Sequence, residues 1–77
     1  MGITIKVVTG DWARLFITEK ELELCTPDGF AVGDVLMQLN FPVDEVGLVA
    51  VNGVAVSWDT VLVDGDILKV FPVVVGG

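Results

Sequence analysis

Only one stretch of this chain, Val32 to Leu39, repeats its apolar residues at steps of three and four; the readable segments around it repeat at steps of two. Val32, Val35, Leu36 and Leu39 fall on one side of a helix, and a helix with one apolar stripe must bury it against another element. The rest of the chain supplies a sheet. Ile3, Ile5 and Val7 alternate with Thr4 and Lys6, and Glu21-Leu22-Glu23-Leu24 alternates again, the period of strands with one buried face. Ile67-Leu68-Lys69-Val70-Phe71 carries apolar residues on both faces, as an interior strand does.

Turn residues mark the joints. Thr26-Pro27-Asp28-Gly29 closes the second strand, and Asn52-Gly53 is a hairpin signal joining Leu48–Val51 to Val54-Ala55-Val56. Asp64-Gly65-Asp66 precedes the last strand. The first two strands read as a hairpin, with residues 11–19 as its connection. The helix opens at Ala31, where Ser or Thr would cap the free amides, while Asp34 suits the helix dipole. Asn40 and Pro42 end it, because the residue before a proline leaves the α region. The order strand, strand, helix, strand, short strand, strand predicts an α+β fold, a mixed sheet of four to five strands with one helix packed across it. A β-grasp domain satisfies that order, with the last strand beside the first in the sheet centre.

At 77 residues the chain is expected to form a single domain over 1–77 with an extended tail over about 73–77. Folding at this size buries only about 60 to 65% of the extended chain's surface, so efficient packing must replace disulfides or metal. A hydrophobic content of 53% supplies it. The single Cys25 cannot make an internal disulfide, and following Leu24 it is expected to be a buried apolar thiol. One cysteine without histidine falls short of a structural zinc site. The net charge of -7 argues against nucleic acid and anionic lipid and for a basic protein partner. No apolar run approaches a membrane span and no signal-like stretch opens the chain, so a soluble cytoplasmic protein is expected. A mean hydropathy of +0.79 implies either a core packed on every side or apolar surface kept for a partner.

The chain is poor in catalytic groups. It has no histidine, and its one serine, Ser57, stands beside Trp58 without a plausible base. Glu21 and Glu23 share an exposed strand face, and Asp64 and Asp66 flank a turn glycine, where solvated charge is expected. The reactive group that remains is the terminal carboxylate of Gly77, preceded by Gly76. A terminal glycine pair arises by chance in roughly one chain in 200 at average glycine usage. Lacking Cβ atoms, the pair makes an arm slim enough to thread into another protein's active site. An anionic carboxylate resists nucleophilic attack, so chemistry at Gly77 requires activation by another enzyme. Adenylation followed by displacement of AMP by a sulfur nucleophile would leave a thiocarboxylate.

Val51-Asn52-Gly53, Asp64-Gly65-Asp66, Phe71-Pro72 and Gly76-Gly77, in that order, resemble the C-terminal half of the ubiquitin-like sulfur carriers. That family comprises the small subunit of molybdopterin synthase (MoaD) and the thiamine-pathway sulfur carrier (ThiS). Pro27-Asp28-Gly29 followed by Val32-Gly33-Asp34 and Leu36 resembles its helix entry. The resemblance implies a β-grasp, ubiquitin-like fold and a thiocarboxylate made on Gly77 by an adenylating enzyme related to those that activate ubiquitin. ATP is used by that enzyme, and the carrier itself binds no cofactor or metal. A second implied partner is the large subunit of molybdopterin synthase or thiazole synthase, onto which Phe71, Pro72, Val73, Val74 and Val75 would dock while the glycines enter its active site. Phe71-Pro72 leans toward the molybdopterin branch, although Val73 stands where the family often has a second proline. Read by alternation alone, Phe71 is either a core residue or an interface anchor, and both stay open; Val73 to Val75 pass the end of the core and are expected to meet a partner. Trp12 and Trp58 read as local packing. Delivery to thiazole synthesis, conjugation through Gly77 to target lysines, and a plain β-grasp binding module are the competing functions.

Overall fold

The computed structural model describes residues 2–9, 21–41 and 43–72. Strands β1 (Gly2–Val8) and β2 (Glu21–Pro27) pair antiparallel from Gly2 opposite Pro27 to Val8 opposite Glu21. Helix α1 (Val32–Gln38) follows, then a 3₁₀ turn (Val43–Glu45) and strands β3 (Val46–Val51), β4 (Val54–Val56) and β5 (Ile67–Pro72). The five strands form one sheet in the order β2-β1-β5-β3-β4, with β5 parallel to β1 and antiparallel to β3. The last strand lies beside the first at the centre, which is the β-grasp arrangement expected from the sequence. Residues 11–19, read as the hairpin connection, and Trp12 among them lie outside the described residues.

The alternating patterns decide which face the helix covers. Ile3, Ile5 and Val7 of β1 and Leu68 and Val70 of β5 point inward to meet Val32, Val35 and Leu36 of α1, with Val49, Phe41 and Leu62 completing the core. Leu39 and Trp58 pack against this cluster at its margin, Trp58 in the local role expected of it. Cys25 corrects an expectation: it is exposed. In β2 the inward positions are Leu22, Leu24 and Thr26, so Cys25 shares the outer parity of Glu21 and Glu23 and stands opposite Thr4.

Helix α1 begins at Ala31 without a capping side chain because its first amides find other acceptors. Val32 N–H donates to the Thr60 carbonyl (3.0 Å) and Gly33 N–H to the Trp58 carbonyl (2.8 Å), both from the β4–β5 connection. The Asp34 carboxylate reaches back to accept the Ala31 N–H at 2.9 Å, the acidic half of a capping box. At the other end Asn40 takes a left-handed φ of 61°. There the N–H of Asn40 donates to the Met37 carbonyl and that of Phe41 to the Leu36 carbonyl, a Schellman closure with asparagine in the usual glycine place. The helix therefore ends at Gln38, with Leu39 as its cap and Asn40 closing it as the sequence predicts.

The Asp64-Gly65-Asp66 turn departs from its expected solvation. Asp66 is buried, its Oδ1 accepting from Asn52 Nδ2 (2.9 Å) and its Oδ2 from Val63 N–H (2.8 Å). Asp64 Oδ1 accepts the Thr4 N–H at 2.8 Å, tying the turn to β1. Asn52 completes the network: its Oδ1 accepts the Ile67 N–H and its backbone N–H donates to the Ile67 carbonyl. The backbone amides of Thr4 in β1 and Val63 in the β4–β5 connection need partners, and these carboxylates supply them. The start of β5 is thus fixed to β1 on one side and to the β3–β4 hairpin on the other.

Candidate functional site

The sheet face opposite the helix has no second layer among the described residues. It carries Thr4, Lys6 and Val8 from β1, Ile67, Lys69 and Phe71 from β5, and Leu48 and Ala50 from β3. Phe71 stands directly opposite Leu48, and their relative exposures of 42% and 48% rule out a core role for either. Of the two readings open for Phe71, the structure retains surface exposure. The same pair accounts for part of the high hydropathy as apolar surface, since the core on the helix side is already closed.

The local backbone brings this pair to the last described stretch of the ladder, next to Pro72. Among the described residues the register of β5 with β1 runs from Ile67 to Lys69, while its register with β3 runs on to Phe71 and Pro72. The register slips between the Val46 and Leu48 positions, a bulge that bends this end of the ladder. Pro72, opposite Val46, has no N–H to donate and is the last described residue of the strand. Val73, Val74, Val75, Gly76 and Gly77 lie outside the described residues, and the structure places Phe71 and Pro72 at the root of that segment.

Charge on this face is mixed, in contrast to the chain's net charge of -7. Lys6 pairs with Glu21 at 3.2 Å and Lys69 stands across from Val8 and Ala50, between Ile67 and Phe71 along β5. A shallow open groove lies beside the Asp64-Gly65 turn, lined by Thr4, Lys6, Glu23 and Ile67. Elsewhere, the Ser57 hydroxyl donates to the Asp59 carboxylate within its own turn. Among the described residues no group of three or more histidine, cysteine, aspartate or glutamate side chains is placed to hold a metal ion, and no helix is long and apolar enough to cross a membrane.

Leu48 is a surface residue on a strand whose sequence is apolar throughout. Leu48-Val49-Ala50-Val51 carries apolar residues on both faces, as β5 does, and that pattern was the available signal. In an interior strand of a two-layer fold, one of the two apolar faces is left open.

A five-stranded β-grasp sheet with one covering helix defines a small protein of the ubiquitin-like class. The chain belongs to the ThiS family, whose model matches residues 12–77. Among solved structures it is similar to a putative molybdopterin converting factor, subunit 1, from Pyrococcus furiosus, at 31% identity and a TM-score of 0.79, covering 94% of this chain and 99% of that one. It is also similar to the Haloferax volcanii HVO 2177 protein, at 28% identity and a TM-score of 0.82, covering 99% of this chain and 88% of that one. The fold is shared further with the H. volcanii small archaeal modifier protein 1, at 20% identity and a TM-score of 0.78 over 94% of this chain and 99% of that one. No curated protein sequence matches the chain.

Proposed function

We propose that this chain is a sulfur carrier for molybdopterin biosynthesis, acted upon at Gly77 by an ATP-dependent adenylating enzyme. A Gly77 carboxylate oxygen attacks the α-phosphate of ATP and expels pyrophosphate, giving an acyl adenylate. A sulfur nucleophile on the activating system then attacks the Gly77 carbonyl carbon and AMP leaves. With a persulfide as that nucleophile the product is an acyl disulfide; a second thiol of the activating system attacks the sulfur not bonded to Gly77, forming a disulfide within that system and releasing the thiocarboxylate. The chain supplies no acid, base or metal to these steps; it supplies a carboxylate on an unhindered arm and a surface that orients it. The large synthase subunit is the second partner, and Leu48 and Phe71 are the apolar anchors on which both partners close.

The observation that carries this reading is the exposed Leu48–Phe71 pair at the root of the glycine-ended segment. A large apolar pair at the exit of the terminal strand gives a partner a hold next to the group on which it acts. The name of the P. furiosus relative supports the molybdopterin branch over thiazole delivery, and the H. volcanii modifier keeps conjugation as the competing outcome. The test is intact-mass analysis after incubation with ATP, a family activating enzyme and a sulfur source. Replacement of one carboxyl oxygen by sulfur is expected; a mass that stays unchanged with every activating enzyme of the family sinks the carrier reading, and lysine conjugates in extract favour a modifier instead.

A further inference from the structure

The Asn52-Gly53 turn holds a chemistry that the carrier function leaves unused. When glycine follows asparagine, the glycine nitrogen has an unhindered approach to the asparagine side-chain carbonyl carbon. Attack there closes a succinimide and expels ammonia, and water then opens the ring to aspartate or isoaspartate. The balance is one water taken up and one ammonia released, with no other reactant.

In the folded protein both side-chain atoms of Asn52 are engaged. Nδ2 donates to Asp66 Oδ1 at 2.9 Å, and Oδ1 accepts the Ile67 N–H at 3.0 Å. The backbone is held left-handed, with φ of 53° at Asn52 and 85° at Gly53. Ring closure requires the side chain to swing onto its own following nitrogen, which breaks both hydrogen bonds. The product does not restore them. A carboxylate at 52 can still accept from Ile67 N–H, but its other oxygen faces Asp66 Oδ1, so an acceptor meets an acceptor where the amide had donated. Isoaspartate adds a methylene to the backbone of a two-residue turn.

We propose that Asn52 is a spontaneous modification site gated by folding: its amide is protected while the clasp to Asp66 and Ile67 stands, and once lost in an unfolded chain it disables that clasp. The start of β5, whose far end carries Phe71, is what the clasp secures, so a chain that has lingered unfolded is chemically marked and returns to a weakened fold. This inference rests on the turn alone and not on the carrier reading.

The whole chain is incubated at neutral pH in buffer and in concentrated urea, and the peptide containing residue 52 is followed by mass, with isoaspartate detected by enzymatic methylation. Conversion at least about tenfold slower in buffer is expected, because it then requires local opening; equal rates overturn the protection. For the second half, Asn52→Asp is expected to lower the thermal midpoint by about 5 °C or more. Adding Asp66→Asn should recover most of that loss, since the amide introduced at 66 can donate to the carboxylate at 52 and still accept from Val63 N–H. An unchanged midpoint in the single variant, or no recovery in the double, overturns the clasp as the reason. Should Asn52→Asp fail to fold alone, recovery of folding by the second substitution remains the readout.

Discussion

Thr26 and Cys25 are neighbours on β2 that ended on faces opposite to what their chemistry suggests. The thiol faces outward near the Thr4 hydroxyl, at 3.7 Å, while the Thr26 hydroxyl is buried at 3% exposure with no hydrogen-bond partner among the described residues. Strand parity forces this, because Leu22 and Leu24 must face the core and Thr26 follows them at the same period. An unsatisfied buried hydroxyl costs roughly 1 to 3 kcal/mol. Thr26→Val keeps the β-branched shape and removes the orphan atom, so it should stabilise the fold by about 1 kcal/mol, read as a higher urea midpoint at constant slope. A lower midpoint would show that the hydroxyl is satisfied in solution. The exchange at Cys25 is expected to be silent by the same measure, since Cys25→Ser alters only a surface side chain.

The elements were legible where a period ran long enough to count. Ile3-Ile5-Val7, the Glu-Leu alternation of β2 and the Val32–Leu39 stripe each named an element and its buried face, and Asn52-Gly53 named the hairpin. Parity also placed Cys25 outward, had it been counted on from Glu21 and Glu23; its apolar character obscured the count. Asp66 carried no such local signal, since burial of that carboxylate depends on Asn52 arriving from the β3–β4 hairpin, fourteen residues away, as well as on the nearby Val63 N–H. Phe71 was undecidable for the same reason, because alternation gives parity and not the presence of a covering layer. The helix start shows how tertiary contacts replace a local rule. Ala31 reads as a poor cap, yet Thr60 and Trp58 carbonyls already hold the first two helix amides. Ala31→Ser, worth about 1 kcal/mol at an ordinary N-cap, should therefore change stability here by less than about 0.5 kcal/mol. Asp34→Ala should cost about 1 kcal/mol, because it leaves the Ala31 N–H without its 2.9 Å acceptor. A full capping gain from the serine would mean that the loop carbonyls leave the helix in solution.

At the scale of the whole molecule, the fold separates what holds the protein together from what it offers to a partner. One face of the sheet is closed by α1 and the β4–β5 connection; the other carries Leu48 and Phe71 exposed, with Lys69 between Phe71 and Ile67 along β5. Both faces of β5 are apolar, but only the inward one is needed for folding, so substitutions on the two sides should divide cleanly. Leu68→Ala removes a fully buried side chain and should cost about 3 kcal/mol of stability, a large share of what a domain this small possesses. Phe71→Asp or Leu48→Asp changes a side chain that is already about half exposed and should shift stability by no more than about 1 kcal/mol. On the carrier reading, the same two substitutions bury a charge in the partner's closing surface and should slow thiocarboxylate formation by about 30-fold or more, the effect of removing an anchor worth about 2 kcal/mol. Calorimetry and intact-mass kinetics on the same preparations separate the two effects. If Phe71→Asp left the rate of thiocarboxylate formation untouched while the protein stayed folded, the exposed face would have no part in presenting Gly77, and recognition would have to lie in the glycine-ended segment itself.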